Sequence, residues 1–292
     1  MIDKDKGNAV LTETLSQEIR RTLQLALAED HAENDVTSQA CLPPAAPAKA
    51  SLLLKQPGRI AGLVVLPILC HLLDSALNLR LFVEDGCNCN PGAVLATLEG
   101  NARSILAGER SALNLIQHAS GIATTTAAYV DAVKGFSCDI LDTRKTLPGL
   151  RAIQKYAVLI GGGKNHRFHL EDRFLIKDNH IKLLKETTST PVAEAVRRAK
   201  TLQPAVKVEV EVSTLAMLEE ALSAEADVVL LDNMNASLVA EAVKLNAGKA
   251  YLEASGGIGL EEVARYAATG VNGISIGALT HSVRAIDMSL KV

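Results

Sequence analysis

Residues 207–233 read KVEVEVSTLAMLEEALSAEADVVLLDN. A valine-rich run (207–212) is followed by a helical stretch opening at Ser213, and then by a second apolar run (228–231). Strand, helix, strand is the unit from which parallel sheets are wound. Glu209 and Glu211 stand two apart and so share one face of their strand. With Val208, Val210 and Val212 turned to covering helices, both carboxylates point inward, where a buried charge needs a cation. Lys145, Arg167 and Lys177 are the candidate partners.

Outward from this stretch the same grammar repeats. Strands are expected at 138–141, 174–176, 251–253 and 274–276, and helices near 149–158, 191–200, 214–222, 235–245 and 259–268. Six strands alternating with helices imply an open parallel sheet or a (β/α) barrel. The residues at the strand ends decide between the two. Asp142 to Lys145 follow the first strand and Lys177 the second; Glu211 lies near the end of the third and Asp232 ends the fourth. Ser255-Gly256-Gly257 follow the fifth, and Gly277-Ala278 the sixth. In a barrel such positions converge on one mouth, where the chemistry is placed.

Residues 142–182 hold nine Lys or Arg against four Asp or Glu, in a chain whose net charge is only −3. These cations alternate with turn formers (Pro148, Gly149, Gly161 to Gly163) and short apolar runs, a pattern suited to a pocket for a small polyanion. An ordinary basic surface patch is the plainer alternative. The segments EASGGIG (253–259) and ISIGAL (274–279) supply glycine turns that lead into helices, a phosphate-binding arrangement. GGGKN (161–165) is no nucleotide-cleaving loop, because Asn165 stands where Ser or Thr is needed and Val158 where the first glycine belongs. Lys145 and Lys177 occupy positions open to a Schiff-base lysine, yet their charged surroundings favour an anion clamp. His166 and Arg167 pair an acid–base candidate with a carboxylate-gripping guanidinium.

The first 117 residues read differently. An amphipathic helix over 13–29 ends in an acidic, turn-rich loop. A strand–turn–extended segment (51–63), a helix over 67–77, and strands at 79–83 and 93–98 follow, a mixed α+β half. From Ser104 a long helical pattern runs on, with Gly108 and Gly121 expected to bend or break it. The domain change is placed near residues 115–120, giving 1–117 and 118–292, with a return of the C-terminal tail to the first domain left open. Arg103 and Arg110 fall seven apart on nearly one face.

The totals narrow the function. With 292 residues, 48% hydrophobic and 22% charged, the chain has ample core material. A near-neutral balance, no Trp and 3% aromatics argue against nucleic-acid or membrane-surface binding. Five cysteines without a CxxC pair read as reduced thiols. No apolar signal region opens the chain and no apolar run is long enough to span a bilayer, so a cytoplasmic protein is expected.

The segments ERSALNLIQHASGIAT, DTRKTLPGLR, GGGKNHR, LIKDNHI, KVEVEV, LLDNM, EASGGI and GVNGISIGALTHS resemble, in order, the quinolinate phosphoribosyltransferase family. Leu147 and Arg173 are small departures from its pattern. The resemblance implies an N-terminal α/β sandwich, an incomplete (β/α) barrel and a homodimer. The reaction implied takes quinolinate and phosphoribosyl pyrophosphate (PRPP) to nicotinate mononucleotide, pyrophosphate and carbon dioxide, for NAD synthesis. It assigns quinolinate to Arg144, Lys145, His166, Arg167 and Lys177, with Arg110 reaching the partner's site, and it adds Thr143 as a substrate contact. Glu211 and Asp232 match the ribose- and Mg²⁺-facing carboxylates, Mg²⁺ arriving with PRPP. Ser255, Gly256, Gly257, Ile276, Gly277 and Ala278 match the 5′-phosphate loops. Catalysis falls to Lys145, Lys177, Glu211 and Asp232. A ModD-like relative and a Schiff-base barrel lyase are the alternative enzymes, and a phosphometabolite binder the non-catalytic one.

Overall fold

A computed structural model describes residues 12–292. The expected absence of a signal region falls mostly on residues 1–11, outside the described residues. The chain forms two compact units, Met1–Ala127 with Lys145–Gly162 and Ala278–Val292, and Ala128–Arg144 with Gly163–Gly277. The boundary drawn at 117 lies inside a helix.

In the first unit α1 (Glu13–Glu29) starts where the Thr12 side chain accepts the Leu15 N–H, and it buries Ile19 and Leu23 completely. Burial of that kind contributes about 1.5–3 kcal/mol per side chain. The acidic stretch read as a loop instead holds a single 3₁₀ turn and a short helix, α2 (Val36–Cys41). Asp35 starts α2 by accepting the N–H groups of Thr37 and Ser38. Then come β1 (Pro47–Leu54), β2 (Gly58–Arg59), α3 (Val65–Leu73), β3 (Asn78–Leu81), β4 (Asn88–Cys89) and β5 (Val94–Asn101). α4 (Ala102–Ala132) is one helix of 31 residues.

Gly108 and Gly121 therefore do not break α4, and the reason is packing. A Cβ on Gly108 would meet Leu73 Cδ1 at 2.5 Å, and one on Gly121 would meet the Arg284 carbonyl oxygen at 2.3 Å. These glycines let neighbours approach the helix rather than end it. Ala50, Cys70, Leu77, Leu98 and Ile105 form a core cluster between the sheet and the helices.

The first sheet is antiparallel, in the order β12–β1–β5–β3, where β12 is Met288–Lys291. Ser51 pairs with Lys291 and Leu54 with Met288, so the end of the chain completes this sheet. The unit also contains α5 (Arg151–Ile160) and α11 (Ala278–His281).

The second unit is the βα series. Its strands are β6 (Asp139–Leu141), β7 (Phe174–Ile176), β8 (Val208–Val212), β9 (Val228–Asp232), β10 (Tyr251–Ser255) and β11 (Gly273–Ser275). Its helices are α6 (Asp178–Leu184), α7 (Pro191–Leu202), α8 (Leu215–Ser223), α9 (Ala236–Asn246) and α10 (Leu260–Ala267). The strands run parallel in the order β6–β11–β10–β9–β8–β7. Among the described residues β6 and β7 share no ladder. A lone bridge from Leu141 to Lys164 flanks β6 on that side. The result is the open, incomplete TIM-like barrel. Val208, Val210 and Val212 are buried, as is Glu209 opposite them.

Candidate active site

The carboxyl ends of the parallel strands carry most of the expected residues, and the register brings several into line. Asp232, the last residue of β9, lies opposite Ser255, the last of β10. The Asn233 side chain donates to Asp232 Oδ2 at 2.8 Å, and its backbone N–H donates to the Ser255 carbonyl at 2.9 Å. Asn233 takes a left-handed conformation (φ 55°), and a Cβ on Gly256 would come within 2.4 Å of its Oδ1. Gly256 is thus required by close approach as well as by its own φ of 116°. Gly257 follows in the left-handed region, and α10 opens three residues later. Ile276 is buried and donates its N–H to the Leu141 carbonyl, which fixes the turn that carries Gly277.

Lys177 ends the connection from β7 and pairs with Glu211 on β8 at 3.4 Å. Its backbone N–H donates to His180 Nδ1 at 2.8 Å, so His180 caps α6. Arg144 follows β6 half-buried, and its Nε is buried with no hydrogen-bond partner among the described residues. Thr143, beside it, is also half-buried. Lys145, Arg110 and Ala278 belong to the first unit, where Lys145 and Arg110 are exposed. Arg110 lines a groove on α1 and α4 with Glu29, Asp30, Asn114 and His118. Arg103, its companion on the helix, is occupied elsewhere: its guanidinium caps the carbonyls of Gln39 and Leu42.

His166 sits deeper than a pocket rim. Its backbone N–H donates to the buried Asp142 at 2.8 Å. Nδ1 accepts the Arg167 N–H at 2.8 Å, which puts the ring proton on Nε2, facing Glu209 Oε1 at 3.1 Å. Glu253 Oε2 approaches the same nitrogen at 3.6 Å. Arg173 reaches Glu209 Oε2 at 3.3 Å, and Arg167 donates to the Arg173 carbonyl at 3.3 Å. Burial, together with the neighbouring Arg144 charge, lowers the Arg167 pKa.

Glu253 is a member of this cluster that sequence reasoning missed. It is 1% exposed, and burial, with the Glu209 charge next in weight, pushes its carboxyl up to about 7. Ser275 favours its charged form, yet neither Ser275 Oγ nor Glu253 Oε1 completes a hydrogen bond among the described residues. The available signal was a carboxylate inside a strand that is otherwise apolar, the argument applied to Glu209. Lys155 is fully buried on α5. It lies next to Gln154, also fully buried, on a helix almost all of whose residues are shielded. Lys164 instead pairs with Asp139 at 2.7 Å, and Lys182 is exposed.

Parallel strands ending in carboxylates, cations and glycine turns define an enzyme domain for phosphorylated, polyanionic small molecules. The chain belongs to the quinolinate phosphoribosyl transferase family: residues 35–120 match its N-terminal domain and 122–291 its C-terminal domain. It is similar to the nicotinate-nucleotide pyrophosphorylase [carboxylating] of Mycobacterium leprae, 43% identical over 277 residues covering 93% of this chain and 96% of the relative. The probable enzyme of that name from Bacillus subtilis is 41% identical, over 94% and 93% of the two chains. Among solved structures, the nicotinate-nucleotide pyrophosphorylase of Francisella tularensis superposes with a TM-score of 0.88 at 38% identity. That match covers 94% of this chain and 96% of the other.

Proposed function

We propose that this chain is a quinolinate phosphoribosyltransferase. It joins the ribosyl carbon of PRPP to the ring nitrogen of quinolinate, releases pyrophosphate and carbon dioxide, and leaves nicotinate mononucleotide for NAD synthesis. The observation that carries this reading is the set of cations, inward carboxylates and glycine turns at the strand ends of a chain in this family. Both substrates are polyanions, which accounts for the local excess of Lys and Arg. Arg144, Arg167 and Arg110 grip the two carboxylates as planar forks, with Thr143 and His166 completing the quinolinate contacts. The unpartnered Arg144 Nε supports such an assignment.

Departure of pyrophosphate leaves positive charge on the ribosyl ring, and Glu211 and Asp232 stabilise it. Lys145 and Lys177 neutralise the carboxylate beside the ring nitrogen, and later the charge that develops as carbon dioxide leaves, until that ring carbon takes up a proton from solvent. The Lys177–Glu211 pair links the two halves of this chemistry. Ser255 to Gly257 and Ile276 to Ala278 take the 5′-phosphate. A lysine held against a carboxylate is a poor Schiff-base nucleophile, which disfavours the lyase reading.

The donor chemistry suits Mg²⁺ at Glu211 and Asp232, because this ion favours one or two carboxylates plus substrate phosphates. When bound there with PRPP, it would neutralise pyrophosphate charge. The group of three ligating side chains among the described residues, His166, Glu209 and Glu253, includes an imidazole, a donor less suited to that ion than carboxylates and phosphates. The acting form is a homodimer in which Arg110 serves the partner's site. Five free thiols suit a reducing, cytoplasmic setting.

The test is purified protein with quinolinate, PRPP and Mg²⁺, followed for nicotinate mononucleotide, with nicotinic acid in parallel. Absence of product from quinolinate would overturn the assignment.

A further inference from the structure

We propose that Gln154 is a positioning residue, acting through Thr280 and the 145–147 backbone to hold Lys145 in place. The inference rests on the catalytic assignment of Lys145 above. Residues 145–147 lie in no helix or strand, and Pro148 and Gly149 (φ +77°) follow them. A lysine on such a segment is placed only as well as its backbone is held. Here each of the three residues is tied. The Lys145 carbonyl accepts the Thr280 hydroxyl at 2.9 Å, Thr146 Oγ1 accepts Arg151 Nε at 3.2 Å, and the Leu147 N–H donates to Gln154 Oε1 at 3.0 Å.

Gln154 is the hub of this set. Its side chain also donates to the Thr280 carbonyl at 3.0 Å, so the residue that grips Lys145 is itself gripped. Gln154 is 0% exposed and Thr280 1%. The amide cannot be turned over without loss. A backbone N–H requires the oxygen on one side, and a backbone carbonyl requires the nitrogen on the other. The second N–H of that nitrogen then points at His118 Nε2, 2.7 Å away, and that ring nitrogen must accept. His118 is therefore neutral with its proton on Nδ1, in keeping with burial that lowers its pKa. Both N–H donors and the carbonyl oxygen of the Gln154 amide are engaged, all by groups of its own unit.

A carboxylate at 154 would lack both donated bonds, and an apolar residue would lack all three. A displacement of about 1 Å at a catalytic group can cost ~100-fold in rate.

Thr280→Val tests this most cleanly, since it removes only the hydroxyl that holds Lys145 and leaves the Thr280 carbonyl for Gln154. The substitution is expected to lower kcat/KM about 10-fold, part of the loss that such a displacement brings, while the unfolding temperature falls by only a few degrees, as for one lost hydrogen bond. Thr280→Ser, which keeps the hydroxyl, is expected to restore it. In a Lys145→Ala background Thr280→Val is expected to cost nothing further, because its effect runs through Lys145. Gln154→Leu is expected to behave as Thr280→Val does if it folds, and the threonine series decides the matter if it does not. Wild-type turnover in Thr280→Val, or a loss that simply multiplies with Lys145→Ala, would overturn the positioning role alone. Full activity in Lys145→Ala itself would overturn both this role and the assignment of Lys145.

Discussion

Glu253 shows what a single carboxylate can do to this protein's pH response. Buried beside Glu209, it binds its proton more tightly in the folded chain (about 7) than the usual value of 4.5. The folded state therefore carries more protons between those values, and stability falls as pH rises through the window. Glu253→Gln removes the penalty. Its Tm is expected to exceed that of the wild type at about pH 8 and to converge with it below about pH 4.5, where the glutamate is protonated in both states. Each kcal/mol recovered moves Tm by about 2–4 °C in a protein of this size. A variant less stable than wild type at the higher pH would refute the account. At the same scale, Lys145→Ala and Lys177→Ala are each expected to lower kcat/KM by at least ~100-fold, as when one electrostatic group is removed. Steady-state kinetics with quinolinate varied would show it, and undiminished turnover would discard the role.

At the scale of elements, α4 inverts a common rule. Alanine ordinarily stabilises a helix relative to glycine by about 1 kcal/mol. At Gly121 the added carbon would meet a backbone oxygen, which has no rotamer to escape into. Gly121→Ala is accordingly expected to destabilise by roughly 1–3 kcal/mol, read as a lower midpoint in urea, whereas a gain would deny the close approach. The same helix marks the limit of what sequence could tell. The six parallel strands were legible because strands covered on both faces are written as short apolar runs between turns. The strand-end placement of Lys177, Glu211, Asp232 and the Ser255–Gly257 turn followed from that ladder. A glycine that admits a neighbour looks the same in sequence as one that ends a helix, so Gly108 and Gly121 were misread. The burial of Lys155 is not legible either, because a lysine is rarely fully buried. Gln154 left no trace, since a neutral amide belongs to no charge pattern and its partners lie 36 and 126 positions away.

At the scale of the whole molecule, the dimer proposal predicts complementation. If Arg110 serves the partner's site, Arg110→Ala and Lys177→Ala dimers are each inactive, but subunits exchanged between them give hybrids with one intact site. Random mixing should then recover roughly a quarter of the wild-type activity. No recovery after verified exchange would return Arg110 to the surface. The antiparallel ladder between β1 and β12 has a consequence for biosynthesis. β1 is made early, yet the edge that pairs with Met288–Lys291 waits until almost 240 further residues have been translated. Nascent domains usually mature from the N-terminus. Here the unit that emerges first from the ribosome is completed last, and until then an open strand edge must be kept from other chains.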